Sequence, residues 1–134
     1  TLHTTTAIST VNRLIDQFPY EQQGQIRLML ADTLKGVVAQ NLLKKKGGGR
    51  VGVYEVLVVT PAVSALIREA KTSQVMTIMQ TGKKEGMTLL NEELTRLVKE
   101  DVIEPGEAYR KAVDKDDLMR YFQAARIPFT PPTE

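Results

Sequence analysis

The chain contains one histidine, His3, and threonine hydroxyls lie on both sides of it. An imidazole changes its charge near neutral pH, so His3 could move a proton or polarise a water molecule bound to a phosphate. Arg13 follows between apolar residues, where a guanidinium could contact a phosphate or a carboxylate. Both residues also have an ordinary explanation. A lone histidine near a terminus is usually inert, and Arg13 could border the apolar face of a helix.

A second candidate is a cationic segment around a run of glycines. It places four positive charges within seven residues, on Lys44, Lys45, Lys46 and Arg50. Such a loop could bind a phosphate or an acidic partner surface. The sequence favours the alternative, a hairpin turn whose charges keep the tip soluble and discourage pairing with other strands.

A third candidate combines apolar and charged residues in the string Leu66, Ile67, Arg68 and Glu69. Adjacent helical residues point about 100° apart, so Arg68 and Glu69 cannot both pair with one neighbour. One or both could reach another subunit, and a solvated helix face is the alternative.

The sequence lacks a phosphate-binding loop. Its nearest string is Thr81-Gly82-Lys83-Lys84, but Thr77 stands where the motif needs glycine and Lys84 where it needs serine or threonine. With no cysteine and one histidine, a thiolate or histidine-rich metal site is excluded, and no metal ligands are predicted.

The composition is that of a folded, soluble domain. The 134 residues are 42% hydrophobic and 25% charged, with a formal net charge of +2. This balance and the scarcity of aromatic residues argue against a nucleic-acid binder. No apolar run approaches the roughly 20 residues that cross a bilayer. The absence of cysteine fits a reducing cytoplasm.

Apolar spacing predicts mainly helical structure with one β-hairpin, an α+β fold. We predict helices over residues 6–18 and from about 19–21 to 40, and then a hairpin with a glycine-rich turn. The apolar run of its second strand, residues 53–59, predicts burial on both faces within a larger sheet. The starts of later helices are marked by capping residues and prolines, at Thr60-Pro61, Thr72-Ser73, Thr88, Glu104-Pro105 and Asp114. The proline-rich end, 128–134, is predicted to be extended or frayed.

Taken together and in order, several strings resemble the retraction ATPases of type IV pili, in the type II/IV secretion ATPase superfamily. They are TLHT at 1–4, RLIDQFP at 13–19, LLKKK followed by GGRV at 42–51, TPAV and LIRE within 60–69, QTGKKEGM at 80–87 and EAYRKAVDKD at 107–116. The resemblance covers nearly the whole chain except its proline-rich end, and it is closer to the retraction branch than to the assembly branch.

The resemblance implies specific roles and boundaries. TLHT corresponds to the family's histidine box, which would place His3, Thr1 and Thr4, with Arg13 on the following helix, near the nucleotide. Residues 1–60 would be the C-terminal portion of a RecA-like ATPase core, 61–127 a helical C-terminal subdomain, and 128–134 a tail. The family's Walker A loop, aspartate-rich box and Walker B glutamate precede the histidine box. The chain is therefore expected to be a C-terminal piece that is inactive alone.

For the whole protein the resemblance implies a hexameric motor that uses ATP and Mg²⁺ and retracts pili. None of these ligands is expected on this piece alone. The motor would lie in the cytoplasm, peripheral to the bacterial inner membrane, against the pilus assembly platform, without spanning the membrane. Where the family has AIRNLIRE, this chain keeps LIRE but carries Ser64-Ala65 in place of an Arg-Asn pair. The alternative function is a non-enzymatic module that binds a protein through the Lys44–Arg50 loop.

Overall fold

The structure, a computed structural model, describes residues 2–133. The helices are α1 (Ala7–Asp16), α2 (Tyr20–Thr33), α3 (Pro61–Arg68), α4 (Val75–Gln80), α5 (Leu90–Lys99), α6 (Pro105–Lys111) and α7 (Lys115–Ala124). The strands are β1 (Gly36–Lys44) and β2 (Arg50–Val58), and 3-10 turns span Thr72–Gln74 and Lys83–Glu85. The predicted fold class, mainly helical with one antiparallel hairpin, is confirmed.

Local capping signals explain where several helices begin. The Thr60 side chain accepts from the Val63 backbone N–H, and proline follows in the first turn of α3. The Asp114 side chain accepts from the Asp117 N–H at 3.0 Å, which starts α7. Each cap satisfies an N–H that has no partner within its helix.

The second helix ends earlier than its sequence pattern predicts. We predicted that α2 continues to Gln40, but it ends at Thr33 and the chain enters β1 at Gly36. Val37 is buried and Val38 is 64% exposed, so burial alternates as in a strand. Two β-branched residues directly after a glycine favour this extended path over a helix.

The second strand is buried mainly on one face, so the expectation of burial on both faces is wrong. Val53, Glu55 and Leu57 are buried, whereas Tyr54 between them is 45% exposed. The strand is thus packed on one side, in the alternation of a pleated strand. Within residues 2–133 the sheet has only these two strands, with one isolated antiparallel bridge from Val56 to Thr88.

The turn between the strands needs its glycines. Gly47, Gly48 and Gly49 have φ values of 80°, 109° and 79°. Side chains are strained at such angles, whereas glycine adopts them readily. The Lys45 N–H bonds to the Gly49 carbonyl across the turn, and at the open end the Val59 N–H bonds to the Lys35 carbonyl.

The chain packs as two units that are interleaved along the sequence. The first contains residues 1–39 and 55–88, and the second contains residues 40–54 and 89–134. The hairpin therefore contributes residues to both units. The sequence-based boundary after residue 60 refers to the family's core and subdomain, and it stays a prediction.

Each unit has its own buried apolar residues. In the first unit these include Val11, Ile15, Leu57, Val63, Ile67 and Met79. The core of the second unit is Leu43, Val53, Leu90, Leu94, Leu97, Ile103, Ala108, Ala112, Leu118 and Phe122. Phe129 packs against it, with ring centroids 5.4 Å from Tyr109 and 5.8 Å from Phe122. The start of the proline-rich segment is thus anchored rather than frayed.

Three helices end in the same left-handed turn without a glycine. After α3, α5 and α7 the residues Ala70, Asp101 and Arg126 have φ values of 59°, 61° and 57°. At the end of α3 the Lys71 N–H bonds to the Leu66 carbonyl at 2.8 Å and the Ala70 N–H to Ile67 at 3.2 Å. This is the Schellman pattern, in which glycine is the favoured residue at the left-handed position.

Ala70→Gly is therefore expected to stabilise the chain by about 0.5–1 kcal/mol, because glycine relieves the strain of the left-handed backbone. Urea denaturation of the chain measures the change. Ala65→Gly is the matched control inside α3 and should instead destabilise by about 1 kcal/mol. Equal destabilisation by both substitutions would contradict the strain at residue 70.

Candidate functional site

The segment that carries His3 runs directly into a well-capped helix. The Thr6 side chain accepts from the Ser9 N–H at 3.2 Å, and the Ser9 hydroxyl accepts from the Thr6 N–H at 3.3 Å. The Thr10 hydroxyl donates to the Thr6 carbonyl at 2.8 Å. This reciprocal capping box fixes the first turn of α1 and the residue before it.

His3 is exposed and adopts a left-handed backbone with φ 52°. The next side chain, Thr4, is anchored, since its hydroxyl pairs with the Thr10 hydroxyl on α1. An exposed imidazole beside an anchored residue can meet a ligand at this end of α1. Thr1, the third residue of the predicted nucleotide-associated set, lies outside the described residues.

A buried carboxylate contacts Ala7, the residue that directly follows this segment. Glu55, on β2, is 1% exposed, and its Oε1 accepts from the Ala7 N–H at 3.0 Å. The first turn of α1 has no acidic residue of its own, so Glu55 supplies the negative charge that the helix N-terminus favours. We did not predict a role for Glu55 from the sequence. The sequence signal that could have identified it is a glutamate that alternates with the buried apolar residues of a strand.

The structure does not bring Arg13 to His3. Arg13 is exposed and lies in the last turn of α1, at the opposite end from the His3 segment. A cation there complements the negative end of the helix dipole, which is the ordinary explanation. Its predicted association with a nucleotide stays a prediction.

The LIRE residues have different surroundings within the first unit. Ile67 is fully buried, Leu66 is half-buried and Arg68 is exposed. The Arg68 Nη2 lies 3.2 Å from Asp32 Oδ1 on α2, and the Glu69 carboxylate lies 3.5 Å from Lys71 Nζ. One turn before Arg68, the Ser64 hydroxyl donates to the Ala31 carbonyl at 2.7 Å. The charged residues of the motif thus pair within the chain.

The basic loop is partly neutralised inside the second unit. Lys46 Nζ pairs with Asp101 and lies 3.9 Å from Glu104 Oε1. The hydrogen bond to Asp101 raises the pKa of Lys46, against the opposing effect of burial. Lys44, Lys45 and Arg50 are exposed, and no carboxylate within residues 2–133 forms an ion pair with them.

The loop is also held by its backbone. The Lys46 N–H bonds to the Val102 carbonyl at 2.9 Å, and the Lys44 N–H bonds to Glu107 Oε1 at 3.1 Å. Arg110 binds the other Glu107 oxygen at 2.6 Å. Burial tends to raise the pKa of Glu107, but the hydrogen bonds from Lys44 and Arg110 outweigh it and hold this pKa below its ordinary value.

The glycine-lysine string does not form a phosphate loop. Lys83–Glu85 form a 3-10 turn after α4, rather than a loop between a strand and a helix. A Cβ on Gly82 would lie 2.6 Å from Met87 Sδ, so close packing explains this glycine. No group of three or more His, Cys, Asp or Glu that could hold a metal is found among residues 2–133.

Ser64→Ala should cost about 1 kcal/mol of unfolding free energy, since it removes the hydrogen bond to the Ala31 carbonyl. Arg68→Ala should cost less, about 0–1 kcal/mol, because both members of the Arg68–Asp32 pair are exposed. Denaturation of the two variants in parallel, at low and high salt, compares them. A larger and salt-dependent loss for Arg68→Ala would contradict this order.

Glu107→Gln should destabilise the chain by roughly 1–2 kcal/mol at neutral pH, because the charged acceptor of two donors is lost. Since the folded-state pKa is lowered, the contribution of Glu107 is fully present above the ordinary pKa of a glutamate, about 4.3, and disappears as the pH falls through the lowered folded-state pKa. Urea denaturation between about pH 7 and pH 3 should show the two proteins converge in acid. A constant difference at every pH would contradict the assignment.

No model of a known protein family matched the chain. It is 42% identical over 119 residues to a twitching motility protein of Neisseria gonorrhoeae, covering 88% of this chain and 32% of that protein. It is 44% identical over 112 residues to the type IV pilus retraction ATPase PilT of Pseudomonas aeruginosa, covering 84% and 33%.

Solved structures show the same fold. A crystal structure of the pilus retraction motor PilT with bound ADP superposes with a TM-score of 0.78 at 42% identity, covering 89% of this chain and 33% of that chain. The ATPase DotB of Legionella pneumophila superposes with a TM-score of 0.64 at 18% identity, covering 80% and 29%, which shows the fold alone. The chain thus spans about a third of the length of the relatives it matches. By sequence and by fold the chain is similar to the C-terminal part of the type IV pilus retraction ATPases.

Proposed function

We propose that the protein carrying this chain is an ATP-hydrolysing motor that powers type IV pilus retraction. The observation that carries this proposal is the 44% identity to a retraction ATPase, together with a TM-score of 0.78 to a retraction motor with bound ADP. Because the chain spans about a third of these relatives, the phosphate-binding loop would come from the rest of the protein. This chain alone would be inactive.

His3 would be the residue through which this chain takes part in hydrolysis. It is exposed, and it precedes a helix start that is fixed by the capping box and by Glu55. Phosphoryl transfer depends mainly on positioning and on stabilisation of charge. An imidazole held at this place could orient or polarise the attacking water beside the γ-phosphate, with Thr4 as its neighbour.

Residues 2–133 do not form a Mg²⁺ site of their own. Magnesium is held by carboxylates and phosphates in octahedral geometry, and the described residues offer no cluster of such ligands. We therefore place the ligands of the metal in the rest of the protein and assign this chain no step that involves the metal.

The assembly proposed for the whole protein is a hexamer that contacts the pilus assembly platform on the cytoplasmic side of the inner membrane. No helix in the part of the chain that the structure describes is long and apolar enough to cross a bilayer. The LIRE residues remain candidates for a subunit interface, although Arg68 and Glu69 also pair within the chain.

The alternative, a protein-binding module that uses the basic loop, has less support. Lys46 is engaged with Asp101 and Glu104, and the backbone of the tip is bonded to Val102 and Glu107. These contacts give the loop a structural role as the docked end of the hairpin. Only Lys44, Lys45 and Arg50 remain for an acidic partner.

His3→Ala in the complete protein should lower kcat for ATP hydrolysis by roughly a hundredfold or more, because a group that orients or polarises the attacking water is lost. Steady-state phosphate release at saturating ATP measures the effect. Lys45→Ala is the control, an exposed substitution that should leave kcat unchanged. Hydrolysis by the wild type with full kcat in His3→Ala would contradict the role of His3. An inactive wild-type protein would contradict the motor itself.

A further inference from the structure

Glu55 is the charged residue of the first unit that is most completely enclosed. At 1% exposure its carboxylate is almost entirely removed from water. Burying an ionisable carboxylate is costly unless donors compensate for the lost hydration. The Ala7 N–H at 3.0 Å is such a donor, and it belongs to a helix terminus whose dipole also favours negative charge.

The contact joins distant parts of the chain at one point. Ala7 and Glu55 are 48 residues apart in sequence. Ala7 is the first residue of α1 and directly follows the capping residue Thr6. The carboxylate therefore holds the start of α1 against β2, and the segment from His3 to Thr6 leaves from that fixed point.

Several hydrogen bonds fix the His3 segment to the first turns of α1. Thr4 pairs with Thr10, and Thr6 bonds to Ser9 and Thr10, so these contacts all lead back to α1 itself. They fix the segment relative to α1 but not relative to the hairpin. The Ala7–Glu55 bond supplies that second reference, because it is made to a side chain of β2.

We propose that Glu55 is a positioning residue for His3. It holds the start of α1 on the hairpin, so that the imidazole of His3 is presented at a constant place to the nucleotide phosphates. This inference rests on the proposed function, and it predicts that loss of the Glu55 carboxylate lowers turnover more than it lowers affinity for ATP.

The expected loss of kcat follows from how far the His3 imidazole would be displaced. Displacement of a catalytic group by about 1 Å can lower a rate on the order of a hundredfold. For Glu55→Leu, which fills the space but removes the acceptor, we expect kcat to fall between ten- and a hundredfold, with KM for ATP changed less than about threefold. Glu55→Gln keeps one acceptor oxygen for the Ala7 N–H but loses the charge that the helix N-terminus favours, so its kcat should lie between those of the wild type and Glu55→Leu.

The test uses the complete protein and combines Glu55 variants with His3→Ala. If Glu55 acts through His3, Glu55→Leu should cause no further loss of kcat in the His3→Ala background. Independent, multiplying losses would overturn the inference. So would normal kcat in Glu55→Leu when the wild type is active and the variant is folded. Absence of hydrolysis by the wild type would instead overturn the proposed function.

A second readout separates positioning from simple stability. His3 is the sole histidine, so its ring resonances in the 134-residue chain are unambiguous by NMR. Glu55→Gln, chosen in case Glu55→Leu fails to fold, should shift or broaden the His3 signals while the chain remains folded. The matched control is Glu21→Gln, an exposed glutamate in the first turn of α2 in the same unit. Unchanged His3 signals in Glu55→Gln, or equal changes in Glu21→Gln, would overturn the inference.

Discussion

The hydrogen bond between the Ala7 N–H and the buried Glu55 carboxylate joins the start of α1 to β2, across 48 residues of sequence. Glu55 alternates with Val53 and Leu57 on the inward face of β2. A slip of one residue in the hairpin would turn Glu55 outward and bring Tyr54 inward, since neighbouring side chains of a strand point to opposite faces. The position of α1 and the register of the hairpin therefore depend on each other.

The tip of the hairpin belongs to the second unit, and its backbone N–H groups are bonded by other residues of that unit. A turn of three consecutive glycines in left-handed conformations leaves backbone N–H groups with few partners of its own. The Lys46 N–H finds the Val102 carbonyl and the Lys44 N–H finds Glu107, both outside the hairpin. The lysine-rich tip is thus a docked structural feature, whose glycines are required by backbone geometry and whose Lys46 charge is compensated by Asp101.

Sequence patterns predicted the elements whose signals are local. Thr60-Pro61 and Asp114 mark helix starts through contacts within four residues, and the glycine run marks the hairpin turn. The end of α2 was misplaced because Leu30, Leu34, Val37 and Val38 fit a helical period, although Val37 and Val38 lie in β1. Glu55 was missed because its partner is 48 residues away and no local pattern connects them. Of the predicted nucleotide-associated residues, the structure places His3 and Thr4 together but Arg13 at the far end of α1.

The LIRE string shows how a family motif can be explained by packing within the chain. Ile67 belongs to the core of the first unit, and Arg68 pairs with Asp32 on α2. Ser64, where the family has arginine, is short enough to donate directly to the Ala31 carbonyl one residue before Asp32. These contacts connect α3 to the C-terminal end of α2. Because this connection accounts for Ile67 and Arg68 without a second subunit, the motif alone does not locate an interface between subunits. The exposed imidazole of His3, by contrast, is not explained by packing within the chain.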